Sequence, residues 1–245
     1  MNPVIDLLMS HRSIRKYTAQ PVAPELLEQL VRAGQAAATS SFLQGATIIR
    51  VRNPDSRRKL AVFAGNQPYV ETAAEFLVFC ADLKRPGNAC RQYDKPFAGD
   101  YTEHFIIATV DVSLMAQNIV VAAESAGLGI CYIGGIRNNP REVSDLLQLP
   151  QGVYPVFGLC LGYPDQNPEI KPRLPLQVIL KEDVYGEDGD AEQIALYDEQ
   201  VREYYRQRTG GGHGICWSEQ VASLLSEKAR PHMRQFLAEQ GFTMR

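Results

Sequence analysis

Apolar residues recur along this chain in blocks whose spacing switches between the helical and the extended period. Val4, Ile5, Leu7 and Leu8 supply the buried face of a first helix, with Asn2 as its cap and Pro3 in its first turn. A second helix begins near Pro24, where Leu26, Leu27, Leu30, Val31 and Gly34 fall on one stripe. TIIRV (47–51) and EFLVFCAD (75–82) read as strands around a charged helix, DSRRKLAVFA. From about Glu103 to Ser125 a long helix carries Ala108, Ser113, Ala116, Ala122 and Ala123, small enough for close packing against another helix, and Gly127 stops it. LGICYIG (128–134) is a strand ending in Gly134-Gly135. Asn139-Pro140 opens the helix REVSDLLQL, and PVFGLCLGYP (155–164) is a further strand. Helices follow near 191–206, 218–228 and 232–240, the first two separated by the glycine loop TGGGHG (209–214). Taken alone, strands alternating with helices predict a parallel α/β sheet.

Composition narrows the class. With 245 residues, 45% hydrophobic and 22% charged, the chain can bury a substantial core. Its net charge of −3 draws it to neither nucleic acid nor anionic lipid, so any anion must be recognised locally. The longest apolar region, Phe105 to Ile133, is interrupted by Asp111, Gln117, Asn118 and Glu124, which fits a buried helix and not a membrane span. The N-terminus lacks the pattern of a signal peptide. Five cysteines without a C-x-x-C pair, of which Cys80, Cys131 and Cys160 sit in apolar runs, read as buried thiols in a reducing compartment. Four scattered histidines offer no zinc spacing. A cytoplasmic protein with neither metal nor membrane span is expected.

Three segments concentrate hydrogen-bond donors. HRSIRKYT (11–18) brings His11, Arg12, Arg15 and Lys16 together around Ser13 and Ile14, which is either a solvated basic turn or an anion site. KPRLP places Lys171 and Arg173 on either side of Pro172, in a stretch stiffened by two prolines, so that their heads lose less entropy on holding a ligand. TSSFLQ (39–44) adds hydroxyls. In YIGGIRNNP, the glycine pair lets the backbone approach a flat ligand closely. Neither G-x-G-x-x-G after the first strand nor G-x-x-x-x-G-K-[ST] is present, which disfavours Rossmann and P-loop sites. A ring-bearing phosphate ligand held by dispersed segments remains, and flavin mononucleotide (FMN) fits that description.

HRSIRKYT, TSSFLQ, AGNQPYVETAAEFLVFCAD, AAESAGLGICYIGGIRNN, FGLCLGYPDQNPEIKPRLP, YDEQVREYYRQRT and ARPHMRQFL occur in this order over nearly the whole chain. In them the sequence resembles the FMN-dependent nitroreductase superfamily, in particular its oxygen-insensitive NAD(P)H nitroreductases and NADPH–flavin oxidoreductases. The resemblance implies an α+β fold with a mixed, mostly antiparallel sheet flanked by helices, in an intertwined homodimer whose interface holds FMN. It implies an FMN-binding core over 1–180 and a C-terminal helical excursion over 181–245 at the active-site rim. The helix 103–125 is the candidate dimer core.

By the same resemblance, His11, Arg12 and Ser13 face the FMN phosphate end with Ile14 beside them, and Arg15 lies near N1/O2. Thr39 and Ser40 offer hydroxyls, Gln67 lies on the pyrimidine side, and Tyr132, Ile133, Gly134 and Gly135 run past the ring. Lys171, Pro172 and Arg173 complete the anion site. Ser41, Phe42 and Arg230 match substrate-pocket positions, although Phe42 has an ordinary core alternative and Arg230 a surface one. Arg208 and His213 match the nucleotide side. Relatives that prefer NADPH carry several basic residues after YYRQR, whereas here only Arg208 precedes TGGGHG, which predicts weaker discrimination between NADPH and NADH. The implied reaction is ping-pong hydride transfer from NAD(P)H, through flavin N5, to nitroaromatics, quinones or free flavin. A reductase that feeds reduced FMN to a partner monooxygenase and a non-catalytic flavin sensor are the alternatives.

Overall fold

The computed structural model describes residues 2–208, 210, 214–227 and 229–245. The backbone divides into two units. One comprises the chain up to Asn167 together with His232–Arg245, and the other spans Pro168–Pro231.

The first unit is built on four strands: β1 (Ala46–Arg50), β2 (Glu75–Asp82), β3 (Gly129–Ile133) and β4 (Val153–Gly162). They lie in the order β1-β2-β4-β3, and every neighbouring pair is antiparallel. The parallel sheet predicted from strand–helix alternation is therefore overturned in favour of an α+β arrangement. The misleading signal has a physical origin. Strands covered on both faces read as continuous apolar runs, a pattern typical of parallel sheets, and β2 is buried along its whole length. Its Leu77, Phe79 and Ala81 face one core, with Leu159 and Leu161 of β4, while Phe76, Val78 and Cys80 face the other, with Cys131 and Cys160.

On the first face lie α2 (Pro24–Gln35) and α6 (Thr102–Ser125). Leu27, Leu30 and Gly34 of α2 are buried. A Cβ at Gly34 would come within 2.6 Å of the Ile119 side chain, so the small residue sets how closely the two helices approach. By length and composition α6 could cross a membrane. It is instead a core helix, with Ala108, Val112, Ala116, Ile119, Val120 and Ala123 fully buried under the sheet.

The second face carries α3 (Pro54–Phe63), α4 (Tyr69–Thr72) and α7 (Pro140–Leu147). Asn53 caps α3 by accepting from the Ser56 N–H at 3.0 Å. A further helix, α5 (Lys84–Gln92), follows β2 and has no counterpart among the elements predicted from the sequence.

The first helix, α1 (Pro3–Met9), starts as expected, with the Asn2 side chain accepting from the Val4 N–H. Its expected buried face is a correction: none of its residues is buried, and Val4, Ile5, Leu8 and Met9 are exposed. Ile106, Val110 and Leu114, one turn apart along α6, are exposed too. These apolar stripes lack a cover among the described residues.

In the second unit, α8 (Leu176–Ile179) precedes α9 (Asp190–Arg208) and α10 (Trp217–Ser226). Tyr197, Val201 and Tyr204 form the buried stripe of α9, and the Trp217 ring lies 6.1 Å from that of Tyr197. The chain then returns to the first unit through α11 (Met233–Glu239), where Phe236 and Leu237 join the core. All five cysteines are free thiols, and Cys80, Cys131, Cys160 and Cys216 are buried. Burial pushes the Cys80 thiol up to about 12.

Candidate functional site

After α1 the chain runs along the outer edge of β3. Ser13 pairs with Ile130 in parallel, the Ile14 N–H donates to the Ile130 carbonyl at 2.8 Å, and the Thr18 N–H donates to the Tyr163 carbonyl at 2.9 Å. Ile14, apolar between Ser13 and Arg15, is buried where Gly129 leaves room; a Cβ at 129 would stand 2.6 Å from the Ile14 side chain. This anchor leaves Arg15 exposed on the surface of the unit.

Three separate segments meet at Arg15. Its guanidinium lies 6.0 Å from the centre of the Tyr69 ring and acts electrostatically on the Cys131 thiol. The Tyr69 hydroxyl donates to the Gln67 Oε1 at 2.6 Å, and the Gln67 Nε2 donates to the Ala64 carbonyl at 2.7 Å. Gly135 lies against those same two partners: a Cβ there would collide with the Ala64 carbonyl oxygen and stand 2.7 Å from the Gln67 Nε2. Burial pushes the Tyr69 phenol and the Cys131 thiol up, and Arg15 pulls both back in part. Arg15, Gln67 and Gly135 are thus tied into one cluster through Tyr69 and Ala64. Ile133 is buried beside them, and Gly134 opens a 3-10 turn, Gly134–Asn138. The Tyr132 ring instead packs edge-on to Phe157 at 5.1 Å.

His11 and Arg12 stand at the end of α6. The His11 Nδ1 lies 2.6 Å from the Glu124 Oε1. The Arg12 guanidinium donates to the Ser10 carbonyl at 3.2 Å and to the Asn167 Oδ1 at 2.6 Å. Beside them opens a cavity of about 210 Å³, lined in part by Ser10, Arg12, Glu124 and Asn167.

Thr39, Ser40, Ser41 and Phe42 lie elsewhere along α6. The Ser40 N–H donates to the Oδ1 of Asp111 at 3.1 Å and the Gly45 N–H to its Oδ2 at 3.2 Å. Asp111 precedes Glu124 by thirteen residues, which at 1.5 Å each is about 20 Å along the helix. Within one chain, therefore, the segments 11–12 and 39–42 occupy separate places. Ser41, Phe42 and Gln44 have φ of 49°, 56° and 55°, left-handed backbone costing non-glycine residues about 1–3 kcal/mol each. Phe42 is 81% exposed, so its core alternative fails.

The remaining candidates belong to the second unit. The Lys171 ammonium donates to the Tyr205 hydroxyl at 2.8 Å and lies 5.1 Å from the centre of that ring. The Pro172 carbonyl accepts from the Tyr197 hydroxyl at 3.1 Å, and the Arg173 guanidinium donates to the Lys171 carbonyl at 2.7 Å. The Arg208 guanidinium donates to the Tyr204 hydroxyl at 3.0 Å. Arg230 has a left-handed backbone, φ 51°. His213, with most of the glycine loop, lies outside the described residues.

The candidates read from sequence omit Tyr69, Cys131 and Asp111. For Asp111 a signal exists: a carboxylate alone in the apolar run ATVDVSL needs buried partners.

The arrangement and the sequence agree with known proteins. Residues 8–163 match the nitroreductase family and residues 171–245 the C-terminal domain of the same family. An NADPH-flavin oxidoreductase of Vibrio harveyi is 45% identical over 245 residues, covering all of both chains. An oxygen-insensitive NADPH nitroreductase of Salmonella typhimurium is 42% identical over the same length, again covering all of both. The solved structure of the NADPH:FMN oxidoreductase from Vibrio harveyi complexed with NAD+ superposes with a TM-score of 0.90 at 44% identity, covering 98% of each chain. The chain belongs to the nitroreductase family.

Proposed function

We propose that this protein is an FMN-dependent oxidoreductase that uses NADPH or NADH to reduce nitroaromatics, quinones or free flavin. The observation that carries the proposal is the linkage of Arg15, Gln67 and Gly135, which are far apart in sequence, through Tyr69 and Ala64. This donor set suits the pyrimidine edge of a flavin, with a planar cation, a side-chain amide and a strip of side-chain-free backbone. FMN, when bound, supplies the two-electron chemistry at N5, taking hydride from the nicotinamide and passing it to the acceptor in a ping-pong cycle.

The chain's own work is to bind and to polarise. Arg15 holds a fixed positive charge at N1/O2. His11, Arg12 and Ser13, with Ile14 as their anchor, serve the phosphate end, joined by Lys171 and Arg173 on the stiff Pro172 segment. Gln67 and the backbone of Tyr132, Ile133, Gly134 and Gly135 run beside the ring, and Thr39 and Ser40 offer hydroxyls to it. Ser41, Phe42 and Arg230 receive the acceptor, and Arg208 with His213 the nucleotide.

The separation of 11–12 from 39–42 along α6 supports a site completed by a second copy of the chain. The exposed stripes Val4-Ile5-Leu8 and Ile106-Val110-Leu114 are surfaces for that copy to cover. A homodimer that keeps FMN on dilution is the expected result of gel filtration with flavin analysis, and a monomer that retains its FMN overturns the shared site. The free thiols support a cytoplasmic location.

Anaerobic titration of the purified protein tests the class: a yellow protein bleached by NADPH and recoloured by a nitroaromatic fits the proposal, and one that binds FMN without bleaching is a sensor. Because glycines and one histidine replace a basic run after Arg208, the preference for NADPH over NADH in steady-state kcat/KM is expected to stay below about a hundredfold, ~2.7 kcal/mol. A larger preference excludes it.

A further inference from the structure

The segment from Ser40 to Gly45 holds a conformation it does not favour by itself, with Ser41, Phe42 and Gln44 all left-handed. Two side chains of opposite charge grip it. From α6, Asp111, 1% exposed, accepts the N–H groups of Ser40 and Gly45, the two ends of the loop. From α5, the Arg85 guanidinium donates to the Gln44 carbonyl at 3.4 Å, the Ala46 carbonyl at 3.2 Å and the Thr47 hydroxyl at 2.7 Å. Arg85 is itself held by Asp82 at 3.2 Å, and the Asp82 N–H donates to the Gly45 carbonyl at 2.9 Å. Donors at the loop ends thus meet a carboxylate, and acceptors at its C-terminal end meet a guanidinium.

A buried carboxylate in an apolar helix is costly unless its hydrogen bonds are made. A short capped turn would satisfy a loop more cheaply. Behind the loop a cavity of about 360 Å³, lined in part by Thr39, Leu43, Gln44, Arg85, Asp111 and Met115, gives the backbone room to relax if the grip is lost. What the strained shape achieves is visible at its tip, where Phe42 stands out into solvent.

We propose that Asp111 and Arg85 are positioning residues for the electron acceptor: they hold the Ser40–Gly45 loop so that Ser41 and Phe42 present a preformed acceptor surface. This rests on the acceptor role given above to Ser41 and Phe42. Neither Asp111 nor Arg85 touches the acceptor; each acts through the loop.

The test combines steady-state kinetics with nitrofurazone as acceptor and amide hydrogen exchange of the FMN-loaded protein. Asp111→Asn keeps the shape but turns one acceptor oxygen into a donor facing an N–H. It is expected to raise the acceptor KM about tenfold while kcat changes less than about threefold, with FMN content retained and exchange over Ser40–Gly45 accelerated. Arg85→Gln, at an exposed position, shifts both in the same direction by about threefold and serves should Asp111→Asn fail to fold. Adding Gln44→Gly, which tolerates the left-handed backbone, to Asp111→Asn recovers at least half of the lost affinity on a logarithmic scale. Exchange that accelerates while the acceptor KM stays at wild type overturns the proposal. So does a loss of FMN and kcat that accounts for the whole defect. If the wild type reduces no acceptor, the oxidoreductase assignment itself has failed, and exchange over the loop then reports the clamp alone.

Discussion

Arg15→Ala is expected to bind FMN roughly 10- to 150-fold more weakly than the wild type, the equivalent of one charge-assisted hydrogen bond at about 1.5–3 kcal/mol. The affinity loss has a redox counterpart. A cation at N1/O2 stabilises the anionic reduced flavin more than the neutral oxidised one, so removing it lowers the midpoint potential. If the reduced form loses about 1.5–3 kcal/mol more than the oxidised one, the two-electron potential drops by about 30–65 mV. The fold tolerates the change, because Arg15 is exposed and the residue that pins the segment is Ile14. The Tyr69 hydroxyl also keeps its bond to Gln67. Arg15→Lys is expected to fall between the two, since an ammonium retains the charge and loses the planar fork. Equilibrium dialysis and photoreduction against a dye of known potential provide both readings. Unchanged FMN affinity together with an unchanged potential removes Arg15 from the site.

Why Arg15 could be picked out of the sequence and Tyr69 or Cys131 could not follows from where each contact originates. HRSIRKYT announces itself locally, as cations around a single apolar residue, and that residue is the one buried. Cys131 reaches Arg15 only because Ser13 pairs with Ile130 across more than a hundred residues, and no local pattern encodes that bridge. The same division runs through the fold. Helices α2 and α6 are legible because their stripes are buried by elements of the same unit. The apolar residues of α1 are equally regular, yet in the single chain they are exposed. Periodicity identifies a face that must be covered and leaves open what covers it. In α5 the failure is opposite: proline and glycine early in the segment suggest a turn, but Pro86 falls in the first turn of the helix, where an intrahelical N–H is not required, and the Gly87 N–H makes a helical bond to the Leu83 carbonyl at 3.0 Å. The direction of the strands was hidden because burial on both faces removes the alternation that marks an antiparallel sheet.

The glycine pair after β3 should divide into two roles, and substitution separates them. Gly135→Ala places a methyl on the Ala64 carbonyl oxygen and beside the Gln67 Nε2. Ala64 has no room to retreat: it is buried, and its N–H is bonded to the Leu60 carbonyl at the end of α3. The backbone at 135 must therefore shift away from Ala64, and the Gln67 side chain is displaced as well, giving up its bonds to Ala64 and Tyr69. Overpacking of this kind costs about 1–3 kcal/mol, and the displaced amide loses about 1 kcal/mol for each hydrogen bond. In a chain of this size the sum corresponds to a fall in Tm of roughly 6–20 °C. FMN affinity falls with it, because the expelled amide is one of the proposed ring contacts. At Gly134 a Cβ meets only the Arg137 side chain, at an ordinary 3.6 Å. Gly134→Ala is therefore expected to melt within about 2 °C of wild type and still to bind FMN more weakly, since its methyl stands on the backbone strip that the ring approaches. Melting curves of the two apo variants, followed by FMN titration, decide the matter. A Gly135→Ala protein as stable as wild type, or a Gly134→Ala protein with full FMN affinity, removes the corresponding half of the division.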